Sequence, residues 1–234
     1  MRIHVQLSVL ALTLVVVPAA VVRADPLSIA ITYLGRQEPP RNPLSLVEPI
    51  LTDEGLKGAE QGLADNQTTG RFLKHEYSLK GRVLAADGDI ATEFQSALAA
   101  GERLFIADLR EPDLLTIAPL ADQAGALVFN GRAEDDELRT DKCFKSTFHT
   151  APSRSMKTDA LAQFLIWKRW PRWFLVYGSH PEDKLLADAY RRSATKFGAQ
   201  IVAEKMYGFT GPERFGDAAR ALQSELTARQ IAFA

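Results

Sequence analysis

The sequence predicts an α/β fold: a doubly wound parallel-sheet lobe followed by an incomplete second α/β lobe. Three observations carry that prediction. Short β-branched, apolar runs alternate with longer helical stretches along most of the chain. The runs are continuously apolar instead of alternating with polar residues, as strands covered on both faces are. Near residue 172 the strand–helix rhythm starts again, and it runs through strand, helix, strand and helix before the sequence ends.

The amino-terminal 24 residues are set aside first. Arg2 gives a positive start, Val5 to Val17 is an almost unbroken apolar run, and Val22-Arg23-Ala24 presents short side chains where a signal peptidase reads. Residues 1–24 are therefore expected to be an export signal, cleavage after Ala24 leaving 210 residues, with an uncleaved amino-terminal anchor as the alternative.

From there the elements follow in order. Leu27 to Leu34 reads as a buried strand, and the Pro-rich, charged stretch from Gly35 to Pro49 as a long loop. Thr52 or Asp53 caps a helix running to about Asn66, in which Gly55, Gly58 and Gly62 share one face and allow close approach to a sheet or a ligand. His75 to Lys80 is a strand, Ile90 to Ala100 a helix closed by Gly101, and Arg103 to Asp108 a compact apolar strand ending on an acid. Pro112 to Gln123 is helical, Gly125 ends it, and Ala126 to Asn130 is the next strand. Gly131 to Cys143, with its acids at 134–137, reads as a surface loop or irregular edge carrying a solvated charge run, and Phe144 to Phe148 as a further strand. A helix starting at Ser155 or Thr158 runs through Trp167 and is stopped by Pro171. Trp173 to Tyr177 is a strand, Pro181 to Lys196 a helix terminated by Gly198, and Gln200 to Glu204 a strand. Phe215 to Arg229 reads as one more amphipathic helix, and Gln230 to Ala234 as the beginning of a strand. The expected division is 25–171 for the first lobe and 172–234 for the start of a second, truncated one.

Composition narrows the function. Without Arg2 and Arg23 the chain has 26 basic residues against 29 acidic ones, a net charge of −3, and the cations are interspersed with acids instead of forming a stripe. Nucleic acid is disfavoured as a partner. No stretch after residue 24 reaches the roughly 18 consecutive apolar residues of a membrane span, so no stable membrane insertion is expected after signal cleavage. Cys143 is alone, which precludes an internal disulfide. The expected compartment is the bacterial periplasm.

Sites for chemistry are scarce. There is no Gly-x-Gly-x-x-Gly and no Gly-Lys-Ser/Thr, and the four histidines lack metal-ligand spacing, so no cofactor and no metal are expected. Gly178-Ser179-His180 places a Ser beside a His, but a nucleophile elbow needs Gly-x-Ser-x-Gly, and adjacent residues cannot set the base against the hydroxyl. No catalytic residue is expected; Ser179 remains a candidate for ligand hydrogen bonding or for capping the helix that follows. Asp108, Asn130 and Thr150 each lie at or just past the carboxyl end of an apolar strand, the edge where open parallel sheets bind ligands, and Tyr177 has the same place in the second unit. One acid, an amide, hydroxyls and an aromatic ring suit a small polar solute, with capping and strand-end hydrogen bonding as the alternative role for each. Trp167, Trp170 and Trp173 form either an exposed basic-aromatic surface or packing around the passage between lobes.

Several of these segments carry a resemblance. They are the strand Leu27 to Leu34, the helix Glu54-Gly-Leu-Lys-Gly-Ala-Glu-Gln-Gly-Leu-Ala-Asp-Asn, and the crossover phrase Phe148-His-Thr-Ala-Pro-Ser. With them go Phe174-Leu-Val-Tyr-Gly, Ala187-Asp-Ala-Tyr-Arg-Arg and Phe197-Gly-Ala-Gln-Ile-Val. Over residues 27–230 the chain resembles type I periplasmic solute-binding proteins of the branched-chain amino acid ABC transporter class, and within them the subgroup associated with PQQ-dependent alcohol dehydrogenase systems.

The resemblance implies a non-catalytic protein that binds a small solute between two lobes and presents it to an ABC transporter permease; the candidate ligand contacts remain those of the strand-end reading, Asp108, Asn130, Thr150, Tyr177 and Ser179. It also implies a departure. Where amino acid binders present small residues to a ligand carboxylate, this sequence has Asp108-Leu-Arg-Glu and Asn130-Gly-Arg-Ala. Asp108 is expected to repel a carboxylate and to favour a neutral, alcohol-derived or cationic solute, unless Arg110 or Arg132 turns into the cleft. The alternative is a truncated or non-transport derivative acting as an interaction module; a hydrolase is disfavoured.

Overall fold

A computed structural model describes residues 26–38 and 51–208. The expected export signal, the helix over 215–229 and the strand over 230–234 lie outside the described residues.

Among the described residues seven strands and five α-helices follow one another: β1 (Leu27–Arg36), α1 (Glu54–Leu73), β2 (His75–Leu84), α2 (Ile90–Ala99), β3 (Leu104–Asp108), α3 (Glu111–Ala124), β4 (Leu127–Asn130), β5 (Thr147–His149), α4 (Arg154–Trp167), β6 (Arg172–Gly178), α5 (Pro181–Phe197) and β7 (Gln200–Tyr207), with a 3₁₀ turn at Asp136–Arg139 between β4 and β5. The first five strands make one sheet in the order β2-β1-β3-β4-β5, and β6 and β7 pair in a second. Every pairing is parallel, as continuous apolar runs separated by helices require.

The sheet's two faces are filled differently. Leu34, Phe105, Ala107 and Val128 point to one side and join Phe94 of α2 with Leu114, Ile117 and Ala121 of α3 in a closed core. Phe94 and Phe105 are fully buried, their ring centroids 4.6 Å apart. The other side carries α1 over β2 and β1. Side chains must alternate between faces along a strand, so Ile31, Tyr33 and Ile106 belong to the α1 side.

Boundaries shift where pairing outruns local pattern. β1 and β2 keep a ten-residue register from Leu27↔His75 to Arg36↔Leu84, so β2 extends four residues past Lys80 and β1 two past Leu34. α1 continues beyond Asn66 to Leu73 and ends with Lys74 in the left-handed region. α4 starts at Arg154, capped by the Ser153 hydroxyl, which accepts from the Met156 N–H; Ser155 and Thr158 lie inside it. β5 is the short stretch Thr147–His149 instead of Phe144 to Phe148. Gly125 and Gly198 take positive φ just past α3 and α5, where the last turn bends away.

Two sequence expectations are corrected here. The segment carrying the acid run is irregular and at the surface, with Glu137 exposed, but the acids at 134–136 are not free solvated charges. Asp135 pairs with Arg154 at 2.5 Å, the Asp136 carboxylate accepts from the Ser155 N–H and hydroxyl at 3.1 and 2.8 Å, and Glu134 pairs with Lys157. The acids sit on the amino-terminal turn of α4, whose free N–H groups favour negative charge. Trp167 and Trp170 do not pack into a passage: they are 72% and 52% exposed at the end of α4, with the Lys168 ammonium 4.5 Å from the Trp167 ring centroid.

Candidate functional site

In a 2-1-3-4-5 sheet the chain leaves in opposite directions from β1 and β3, so their carboxyl ends part and leave a crevice between them. A cleft of about 490 Å³ occupies that position. Its floor is Tyr33 near the end of β1 and Asp108 at the end of β3, its wall is the first turn of α1, and Glu38, Arg110 and Arg132 close the rim. Leu51, Leu56 and Val83 add an apolar side.

The polar groups form one chain of contacts. The Tyr33 hydroxyl donates to Asp108 Oδ2 at 2.5 Å, and Arg132 Nε donates to Asp108 Oδ1 at 2.5 Å. A second nitrogen of Arg132 donates to Glu38 at 3.1 Å. Glu38 also receives both arms of the Arg110 fork, at 2.9 Å each, and the remaining Arg110 nitrogen reaches Glu182 in the first turn of α5. Burial, reinforced by the Asp108 carboxylate, pushes the Tyr33 hydroxyl well above the usual phenol range, so it stays a hydrogen-bond donor at neutral pH. The Arg110 fork holds the Glu38 carboxyl below the usual carboxylate range against the opposing effect of burial.

Arg36 is committed to the frame. It makes a bidentate pair with Asp113, at 2.7 and 2.9 Å, and donates to the carbonyls of Ala85, Ala86 and Gly88, tying the β2–α2 loop to α3.

Gly55 is needed for the wall to stand this close: a Cβ there would lie 2.2 Å from Asp108 Oδ2 and 2.4 Å from the Tyr33 oxygen. Of the three glycines spaced along that face it alone makes a close approach, since a Cβ at Gly58 or Gly62 meets nothing within 4 Å. Below it, under α1, a smaller cavity of about 370 Å³ is lined by Ile31, Leu63, Tyr77 and Ile106.

The five residues singled out in the sequence are distributed as follows. Asp108 lies on the cleft floor. Asn130 is fully buried beneath it, its amide accepting from the Arg132 and Ala133 N–H groups at 3.1 and 2.8 Å and donating to the Ala133 carbonyl at 2.8 Å. It thereby shapes the turn that presents Arg132. Its amide nitrogen also lies 3.0 Å from His149 Nδ1. The Thr150 hydroxyl donates to the Asn130 carbonyl at 2.9 Å. Tyr177 stands under the Arg191 guanidinium, 5.2 Å from its ring centroid, and Ser179 lies in the β6–α5 turn. Thr150, Tyr177 and Ser179 do not line this cleft.

Sequence reasoning missed Tyr33 and Glu38. Tyr33 carried the same signal as Asp108, a polar group at the carboxyl end of an apolar strand; Glu38 carried none. Arg110 and Arg132 both face the cleft and the Asp108 charge is paired, which removes the premise that Asp108 would repel an acidic ligand. Among the described residues no cluster of His, Cys, Asp and Glu could hold a metal ion, and no helix is long and apolar enough to cross a membrane.

Solved structures share this architecture. An ABC transporter substrate-binding protein from Desulfitobacterium hafniense matches 87% of the chain with a TM-score of 0.59 at 21% identity. A branched-chain amino acid ABC transporter periplasmic ligand-binding protein from Burkholderia xenovorans matches 84% with a TM-score of 0.61 at 16% identity. LivJ from Streptococcus pneumoniae, solved with isoleucine, matches 84% with a TM-score of 0.56 at 14% identity. These likenesses are of fold. The chain spans 56%, 50% and 54% of those three proteins, about half the length of each. Comparison with curated proteins finds no match. The family model described as periplasmic binding protein matches residues 88–226. That stretch is more than half of the chain and runs from the entry of α2 past β7, so the chain belongs to the periplasmic binding protein family.

Proposed function

We propose that the chain acts as the solute-binding component of a periplasmic ABC transporter, taking up a small polar molecule at the β1/β3 crevice and presenting it to the permease. The observation that carries this reading is the convergence of Tyr33, Asp108, Arg110 and Arg132 on one cleft at the carboxyl edge of the sheet. At about 490 Å³ it lies in the usual range for small-molecule sites. In this reading a second lobe begins at residue 172, and the Arg110–Glu182 contact joins the two units at the rim. Residues 1–24 serve as the export signal and the periplasm is the working compartment.

The sequence resemblance to the subgroup associated with PQQ-dependent alcohol oxidation places alcohol-derived solutes among those to be tried. None of the three compared structures bears such a description.

The test is thermal unfolding of the purified chain with a panel of amino acids, short alcohols, aldehydes and aromatic acids. A solute at about 100 times its Kd stabilises by about 2.7 kcal/mol. The expected result is a clear rise in Tm with a subset of the panel, lost in Tyr33→Phe/Asp108→Ala. A Tm unmoved by every solute contradicts the proposal.

A further inference from the structure

Among the cleft carboxylates, Glu38 is distinguished by what it holds. Asp108 is consumed by Tyr33 and Arg132 and packs against the first turn of α1. Glu38, by contrast, lies past the last residue of β1 and bridges the Arg110 fork to Arg132. A guanidinium fork engaging both oxygens of a carboxylate is the geometry proteins use to recognise that group with directional specificity. Glu38 supplies those oxygens from within the chain.

The Arg110–Glu38 pair is partly exposed, with 53% and 29% of the two side chains accessible, and such pairs contribute little net stability. An incoming carboxylate that took the place of Glu38 would recover the same hydrogen bonds. The apolar residues Leu51, Leu56 and Val83 then face the rest of the solute.

We infer that Arg110 and Arg132 are the receptor for a carboxylate on the solute, and that Glu38 is an internal carboxylate occupying that receptor until the solute displaces it. The inference rests on the solute-binding reading and names its ligand class: small organic acids with a short apolar body. Arg110 also grips Glu182 on α5, so exchange of its partner takes place at the contact between the two units.

The test is calorimetric titration of acetate, isobutyrate and benzoate, each against its amide, into the wild type, Glu38→Gln, Glu54→Gln and Arg110→Gln. At least one acid is expected to bind more tightly than its amide. Glu38→Gln is expected to raise acid affinity by about tenfold, about 1.4 kcal/mol, with amide affinity unchanged, and Arg110→Gln to abolish the preference. Glu54 also lines the cleft but lies outside the guanidinium network, so Glu54→Gln reports the effect of removing any negative charge and is expected to change acid affinity by less than Glu38→Gln. Acid binding should also weaken as salt is raised.

Equal binding of acids and amides, or equal gains in the two Gln variants, overturns the inference. If a neutral solute from the wider panel raises Tm while none of the acids binds, the inference alone falls. If nothing in either panel binds, the parent reading falls with it.

Discussion

Replacing Gly55 by Ala tests the geometry on which the cleft depends. By helix propensity the change is favourable by up to about 1 kcal/mol. Sterically it is not: the new methyl lies 2.2 Å from Asp108 Oδ2 and 2.4 Å from the Tyr33 oxygen, and relief requires a shift on the order of an ångström. Both obstructing atoms are side-chain tips, but neither is free to swing, because Tyr33 is only 5% exposed and the two side chains hold each other and Arg132. Breaking one hydrogen bond to a charged group costs about 1.5–3 kcal/mol. Offset by about 1 kcal/mol of propensity, Gly55→Ala is expected to destabilise by about 0.5–2 kcal/mol, a Tm loss of roughly 1–8 °C at about 2–4 °C per kcal/mol. Gly58→Ala and Gly62→Ala meet open space and are expected to raise Tm by the propensity gain alone. The assay is urea and thermal unfolding of the three variants in parallel. If Gly55→Ala stabilises as much as the other two, α1 does not stand against Asp108 and the cleft wall described above is wrong.

Asn130→Asp keeps the side-chain acceptors but cannot donate to the Ala133 carbonyl, and Asn130→Ala leaves the Arg132 and Ala133 N–H groups without partners. A loss of about 3 kcal/mol is expected for Asn130→Ala, with solute affinity falling in both variants because Arg132 is no longer presented; unchanged unfolding would contradict this. Burial pushes the Glu102 carboxyl up, but hydrogen bonds from Arg82, Lys80 and Thr32 outweigh it and bring it down to about 2. A carboxyl depressed in the folded state adds stability above its unfolded value near 4.5 that is lost as pH falls through about 2. Glu102→Gln should therefore be less stable than wild type at pH 7 and show a flatter stability profile between pH 4.5 and 2; parallel profiles would contradict it.

Most of the fold was legible because it is written locally. Apolar runs marked the strands, Gly125 and Gly198 marked the ends of α3 and α5, and their alternation required parallel pairing. Strand lengths were not legible, since the last residues of β1 and β2 are strand only through pairing with each other. The site was half legible. The strand-end rule located Asp108 and Asn130, but not that the Asn130 amide turns inward to hold the next loop. The network from Tyr33 to Glu182 joins residues 24–94 positions apart, distances over which no spacing rule operates. The face of α1 misled for the same reason: three glycines at helical spacing look alike, and only the third dimension separates Gly55 from Gly58 and Gly62.

The central claim is that a solute occupies the β1/β3 crevice. Its most direct test is a crystal structure with a solute that raises Tm. The account predicts that molecule between the first turn of α1 and the ends of β1 and β3, touching Tyr33, Arg110 and Arg132. Density instead in the cavity under α1, against Ile31 and Tyr77, would contradict it.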